Sequence, residues 1–186
     1  MQATEVLMQE HRIIEGVLNS LEAAAQTLKT NIPVRSGFFI EAADFIRGFA
    51  DGCHHHKEEG VLFKMMTANG MPVEGGPVGV MLREHEMGRQ YARGMRAATE
   101  KWAAGDETAR DDVQENALGY VALLRQHILK EDNILFPMAD RAIPSASHPE
   151  VLAGFERVEH EETGEGLHEK YLALAGKLGA EILQTM

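Results

Sequence analysis

The segment HHHKEEGVLFKM (residues 54–65) recurs in altered form as HILKEDNILFPM (residues 127–138). Both copies place a histidine four residues before a glutamate, as His54 and Glu58 or as His127 and Glu131, and both continue with Leu-Phe. Residues four apart on a helix lie on the same face, one turn above the other. Each pair is therefore able to bind a cation. The duplication predicts two related helices.

The repeat extends upstream of both segments. Glu10-His11 matches Glu84-His85, and His11 precedes its partner histidine by 43 residues whereas His85 precedes its partner by 42. Each half of the chain therefore consists of Glu-His, one helix reversal and His-x-x-x-Glu. Two helical hairpins related by a pseudo-twofold axis would bring six ligands to two metal ions. Bundle cores commonly build dinuclear sites in this way, although the ferritin-like version uses more glutamates.

Apolar periodicity and helix breakers predict helices along the rest of the chain. The four long ones are expected at about 4–29, 36–68, 77–104 and 106–141. A fifth helical segment follows at about 147–184, with an interruption at Gly164-Glu165-Gly166. This pattern predicts an all-α protein, an up-down-up-down four-helix bundle with an additional C-terminal helical segment. We expect one domain over 1–186, with the core bundle at about 4–141 and the extension at about 147–184.

Composition excludes several classes of function. The formal net charge of −11 argues against nucleic acids and anionic membrane surfaces, whose binding depends on Lys and Arg. The single cysteine, Cys53, excludes an intrachain disulfide and favours a reducing compartment. The N-terminal residues do not resemble a signal peptide, and no apolar run is long enough to span a bilayer. We therefore expect a soluble, cytoplasmic protein.

The run of three histidines raises a question of register. At the angular spacing of an α-helix, His54 and Glu58 fall on the apolar face, whereas His55 falls on a more polar side. The repeat favours the same register, because the residue that matches His55 is Ile128, which has no metal-binding atom. We predict that His54 and Glu58 are ligands and that His55 and His56 pack around them.

A single His-x-x-x-Glu pair is usually a solvated ion pair on a helix surface. Two pairs favour a metal site when each follows a Glu-His and lies on an apolar face, where an unpaired charge is costly. The set contains no thiolate, since Cys53 adjoins His54 but points about 100° away from it. Mixed imidazole and carboxylate ligands suit Fe, Mn, Zn or Co better than Cu(I) or an iron–sulfur cluster. Two glutamates balance only half the charge of two divalent ions, so a further bridging ligand is expected.

This combination of motifs resembles the hemerythrin-like, or HHE cation-binding, family over about residues 4–141. The resemblance implies a four-helix bundle with two iron ions, bridged by two glutamates and an oxygen, for which zinc or manganese are possible substitutes. Relatives bind O2, and others are linked to sensing or detoxifying O2, NO or peroxide, or to handling iron. The metal ligands that it implies are His11, His54, Glu58, His85, His127 and Glu131.

The chain departs from the oxygen-carrying hemerythrins at two positions. Those proteins have a second histidine on the third helix, four residues from the first, where this chain has Met81 and Arg89 on either side of His85. Their last acidic ligand is an aspartate one residue beyond the position of Glu131. Four histidines in place of five argue against simple reversible O2 carriage and leave room for a seventh ligand.

The fifth segment is the place to look for that ligand. It contains Glu159, His160 and, two turns later, His168. One interpretation makes it a polar, solvated helix with ordinary charge pairs. The alternative is that His160 or Glu159 completes the coordination sphere, and we carry His160 as a seventh candidate ligand. Tyr120, on the same helical face as His127, is a core residue whose hydroxyl could lie near the site.

Three functions are compatible with such a site. The first is a protein that binds O2, NO or peroxide and serves in oxygen or oxidative-stress sensing or handling, with its output passing through a partner or a homo-oligomer. The second is a peroxidase- or oxidase-type di-iron enzyme. The third is iron storage or delivery. We expect small-molecule binding at a di-iron site.

Overall fold

The structure is a computed structural model that describes residues 2–30, 32–164 and 166–185, and within these ranges its regular elements are all helical. The prediction of an all-α protein is therefore confirmed for the described residues. The four long helices are α1 (Ala3–Thr27), α2 (36–68), α3 (Pro77–Ala103) and α4 (109–142). Each lies within a few residues of its expected range, and α3 begins with proline in its first turn, where no backbone N–H is needed.

Two further helices follow a short 3-10 turn at Ser145–Ser147. These are α5 (148–164) and α6 (Leu167–Thr185). The expected interruption between them is present, because Gly164 and Gly166 adopt positive φ angles of 109° and 77°. Side chains rarely tolerate such angles, which is why glycine ends one helix and precedes the next here. Glu165, between the two glycines, lies outside the described residues.

The helices pack so that polar residues lie between two apolar clusters. α3 packs against α2 and α4, α1 packs against α4, and α6 lies against α1 and α2. One cluster contains Ile14 and Phe49, and the other contains Leu7 and Leu62. His11 lies on α1 between Leu7 and Ile14, and the His54–Glu58 segment of α2 lies between Phe49 and Leu62. The candidate site is thus enclosed along the helix axes as well as around them.

Helices α2 and α4 are not regular α-helices throughout. Their turns widen to π-helical geometry at Ile46–His55 and Glu58–Leu62 in α2, and at Glu131–Leu135 in α4. Such turns bond each N–H to the fifth preceding carbonyl, so the angular position of every following side chain changes. The α-helical spacing used to assign faces on α2 therefore does not hold at His54–Glu58. Among the described residues, no helix is both long and apolar enough to cross a membrane.

Candidate metal centre

Seven side chains with metal-binding atoms meet between α1, α2, α3 and α4. Each is at most 3% exposed, which is rare for charged residues without a partner of opposite charge. They are His11, His54, His55, Glu58, His85, His127 and Glu131. The structure therefore brings together all six ligands implied by the resemblance, and it adds His55.

The seven residues form two groups of donors that share Glu58. Within each group, the donor atoms lie within 4.8 Å of one another, a separation that a single ion can bridge. The first group is His11, His54, Glu58 and Glu131, and the second is His55, Glu58, His85 and His127. Each of the two groups could therefore hold a metal ion.

The two glutamates lie among the histidines of the site. The Oε1 and Oε2 atoms of Glu58 are 3.5 Å and 3.4 Å from the Nε2 atoms of His54 and His85. For Glu131, Oε2 lies 3.2 Å from Nε2 of both His11 and His127. Both carboxylates thus face histidines on more than one helix.

Several of these atoms have no hydrogen-bond partner within the part of the chain that the structure describes. They are the Nε2 atoms of His11 and His54 and both carboxylate oxygens of Glu58 and of Glu131. Burying ionised carboxylates without hydrogen bonds carries a large desolvation penalty, and folded proteins rarely leave such groups unsatisfied. A cation coordinated by these oxygens and nitrogens would remove the penalty. The donor set therefore fits a metal site on its own chemistry.

Four of the histidines also contact a carboxylate outside the two donor groups through their Nδ1 atom. We refer to these four groups as supporting carboxylates. The Nδ1–oxygen distances are 2.7–2.9 Å, and the pairs are His11–Asp132, His54–Glu10, His85–Glu59 and His127–Glu84. Each supporting carboxylate also contacts a cation, and these contacts are Asp132–Arg12, Glu10–Lys57, Glu59–Arg89 and Glu84–Lys130. Such carboxylates fix the tautomer and orientation of a ligating imidazole. Here they direct every Nε2 atom towards the centre.

The charges of the site shift the titration of its members. Burial by itself lowers the pKa of His11, but the neighbouring carboxylates of Asp132 and Glu131 outweigh burial and raise this pKa to about 9. Burial by itself raises the pKa of Glu131, but the surrounding histidines, His127 first, hold it well below its usual range. Burial lowers the pKa of His55, and the neighbouring His85 adds to this effect. His55 is therefore neutral, which is the form of imidazole that binds metals.

The comparison with known proteins agrees with this geometry. Residues 2–139 match the family described as the hemerythrin HHE cation-binding domain. The chain belongs to this family. Hemerythrin-like domains of this kind bind metal cations, and the clustered histidines and glutamates lie inside the matched range.

Individual relatives give less information than the family does. Uncharacterized proteins of Mycobacterium bovis and of two strains of Mycobacterium tuberculosis are each 26% identical to this hemerythrin-like chain over 163 residues. The alignment covers 88% of the chain but 63% of each relative, so the chain spans less than two thirds of their length. No solved structure matches the chain.

The structure places His55 among the possible donors, whereas helical spacing predicts only packing for it. Its ring stacks on that of His85, with centroids 3.9 Å apart and planes within 11°, and it belongs to the second donor group. The difference arises because α2 is π-helical at this point, so both His54 and His55 face the site. The chain therefore has five histidines at its site, with the fifth on α2 instead of α3.

Arg89, one of the two residues four positions from His85, supports the site from outside. Its guanidinium lies 2.8 Å from Asp51 and 2.7 Å from Glu59. It thus contacts the carboxylate that supports His85 instead of reaching the centre itself.

The structure places His160 apart from the two donor groups. His160 is exposed and does not belong to either donor group, because its position on α5 faces away from the bundle. Its neighbour Glu159 turns inward, but it lies 2.7 Å from Nζ of Lys57 and not at the centre. His168 lies 3.6 Å from Glu159 and is not a member of either group that shares Glu58. Glu159 and His168 form, with Glu10 and Cys53, a third group of possible donors that shares no residue with the other two. The C-terminal helices therefore add an ion pair with Lys57 beside the site and contribute no member to the two groups that share Glu58.

Proposed function

We propose that the chain holds two iron ions and binds O2, or a related small molecule such as NO or peroxide, in oxygen or oxidative-stress sensing or handling. The observation that supports this proposal is the pair of donor groups sharing Glu58, whose buried oxygens have no hydrogen-bond partner. Imidazole with carboxylate is a ligand set that suits iron. Seven protein donors leave positions on two ions for a bridging oxygen and for a small ligand.

The protein groups have separate tasks in this proposal. Glu58 and Glu131 neutralise positive charge between the ions, and the supporting carboxylates hold the imidazoles in place. The rings of Phe136 and Phe63 stack on His11 and His85 at centroid distances of 5.4 Å and 5.9 Å. These rings exclude water from one side of the centre. When bound, iron supplies the redox chemistry and the open coordination position.

The proposal includes the arrangement of the chain around the site. We infer that α1 to α4 form an up-down-up-down bundle, because successive long helices are joined by short loops. With α5 and α6 packed on its side, the bundle would be one domain over residues 1–186. The single cysteine fits a reducing, cytoplasmic setting.

Metal analysis tests the proposal directly. Protein purified from iron-supplied cells should carry about two irons per chain, as six or seven donors on two ions require. Its near-ultraviolet oxo-to-iron absorption should bleach on anaerobic reduction and return with O2. His54→Ala and His127→Ala variants should lose most of the metal, whereas a variant of the exposed His160, His160→Ala, should keep it. Metal-free protein, or equal metal in all three variants, would refute the proposal.

A peroxidase- or oxidase-type enzyme is the second candidate. The observation in its favour is a cavity open to solvent with His55 on its wall, because an enzyme needs room for a substrate beside its metal. Turnover of peroxide without loss of metal would support this candidate over simple binding. Rapid transfer of iron to an apo-protein acceptor would instead indicate iron storage or delivery.

A further inference from the structure

A cavity of about 180 Å³ lies between α2 and α3 and ends beside the metal centre. Its walls are apolar where Ala43, Ile46, Gly88 and Ala92 line it, and both His55 and Tyr120 belong to its lining. We refer to it as the α2–α3 cavity. Since His55 also belongs to the second donor group, a molecule in the cavity would touch a residue of the centre.

The size of the α2–α3 cavity exceeds what a diatomic ligand needs. One water molecule occupies about 30 Å³ of liquid, and an apolar protein cavity of about 150 Å³ is known to take up benzene. A volume of about 180 Å³ therefore suits a molecule built around one six-membered ring. O2 or NO alone would leave most of this volume unfilled.

Tyr120 belongs to the lining of the cavity and carries a buried hydroxyl group. Its side chain is 1% exposed, and its hydroxyl has no hydrogen-bond partner among the described residues. Burial raises the pKa of Tyr120, so the hydroxyl keeps its proton and remains a donor. Gly88 faces the same ring, since a Cβ atom there would lie 3.5 Å from Cε2 of Tyr120. A ligand oxygen at this position would satisfy a donor that is otherwise unpaired.

The charged residues around the mouth do not select for an anion. Four arginines line the cavity, but each already contacts an acidic side chain of its own, at 3.5, 2.8, 2.9 and 3.1 Å. The pairs are Arg47–Asp44, Arg89–Asp51, Arg93–Glu86 and Arg96–Glu100. Because these charges are balanced, the mouth favours a neutral molecule over a strongly charged one.

We infer that the α2–α3 cavity binds a neutral, ring-sized organic molecule of the phenol class, whose oxygen accepts a hydrogen bond from Tyr120. The ring lies along the apolar walls of the cavity and contacts His55 at the inner end. This inference rests on the proposed function for its meaning, since it makes the phenol an organic substrate or effector of the di-iron centre. The cavity itself is built from protein atoms, so binding also occurs without iron.

Fluorine NMR with 4-fluorophenol tests the inference in metal-free and iron-loaded protein. We expect one saturable site in both forms. Ala92→Phe should weaken binding at least tenfold, because the new ring fills the cavity. Tyr120→Phe, which removes a single oxygen, should weaken it about three- to tenfold, as expected for one hydrogen bond. The matched control is Ala97→Phe, which places the same ring at an exposed position of α3 and should leave binding unchanged.

Fluorobenzene separates the hydrogen bond from simple filling of the cavity. It should bind the wild type more weakly than 4-fluorophenol and should not distinguish the wild type from Tyr120→Phe. The inference is overturned if neither variant weakens 4-fluorophenol binding, if fluorobenzene binds as tightly, or if benzoate binds more tightly. Iron analysis of the same samples separates the two proposals. Iron without phenol binding overturns only this inference, whereas phenol binding by a chain that takes up no iron overturns only the di-iron proposal.

Discussion

The two halves of the repeat carry the same contacts in different surroundings. Lys57 and Lys130 occupy matching positions, and each contacts the carboxylate that supports the histidine three residues earlier. Lys57 is 0% exposed and also contacts Glu159 of α5, whereas Lys130 is 37% exposed. The covering of one half by α5 is the cause of this difference. An identical local motif therefore has different energetics, depending on what the rest of the chain places over it.

Removing each lysine in turn should give the largest difference in stability between the two halves. Lys57→Met leaves Glu10 buried without its ammonium partner, so we expect a loss of about 3–5 kcal/mol in the free energy of unfolding. Lys130→Met removes a partly exposed ion pair, and we expect a loss of at most about 1 kcal/mol. Urea unfolding of both metal-free variants measures the difference. Equal losses would show that α5 does not isolate Lys57 from water.

The two copies of the repeat differ at one donor position, because His55 of the first copy matches Ile128 of the second. A substitution at His55 removes this difference. His55→Ile copies Ile128 of the second half into the first. Because it removes a donor of the second group, we expect iron affinity to fall by at least about tenfold, the lower end for residues that merely support a ligand. Titration with a competing chelator measures the affinity. The control is His56→Ile at the adjacent, exposed position, and an equal fall there would exclude His55 as a ligand.

Substitution of the supporting carboxylate should lower iron affinity to a similar extent in both halves. Glu10→Gln replaces the carboxylate that contacts Nδ1 of His54, and Glu84→Gln replaces the one that contacts Nδ1 of His127. Neither substitution removes a candidate ligand. We expect each to lower iron affinity about 10- to 100-fold, as is usual for groups that orient a ligating histidine. The same chelator titration applies. A large effect in one half with none in the other would mean that only one histidine depends on its carboxylate.

The contact from α5 should have the smallest effect. Glu159→Gln replaces a charged partner of Lys57 by a neutral one, and Glu159 is itself partly exposed. We expect a loss of about 1 kcal/mol in the free energy of unfolding, a typical value for one hydrogen bond. His160→Gln, on the exposed side of the same turn, should change it by less than about 0.5 kcal/mol. If both variants behave alike, Glu159 does not stabilise the buried lysine.

The sequence predicted most of the candidate site because its residues belong to the repeated segments. The matching His-x-x-x-Glu pairs and the two Glu-His pairs identified six of the seven residues that the structure brings together. The supporting groups lie at matching positions too, Glu10 with Glu84 and Lys57 with Lys130. Their roles were missed, although the repeat contained the signal that could have revealed them.

The structure differs from the sequence-based prediction at His55 and His160, and the causes are helix geometry and helix packing. His55 was placed off the metal-facing side because regular α-helical spacing was assumed, and α2 has π-helical turns at that point. His160 was considered a ligand because of its residue type, but its exposure depends on how α5 lies against the bundle. Periodicity reports which residues prefer the interior, and it does not report a change in the number of residues per turn.

The sequence by itself determined the helical class, the two hairpin-like halves and the residue types of a shared His/Glu site. These features depend on local preferences and on spacing along one helix, which the order of residues fixes directly. Only the tertiary structure decided that His55 faces the centre, that α5 buries Lys57 and that a ring-sized cavity reaches the site. Each of these depends on contacts between helices distant in sequence, where small changes in helix geometry decide which side chains meet.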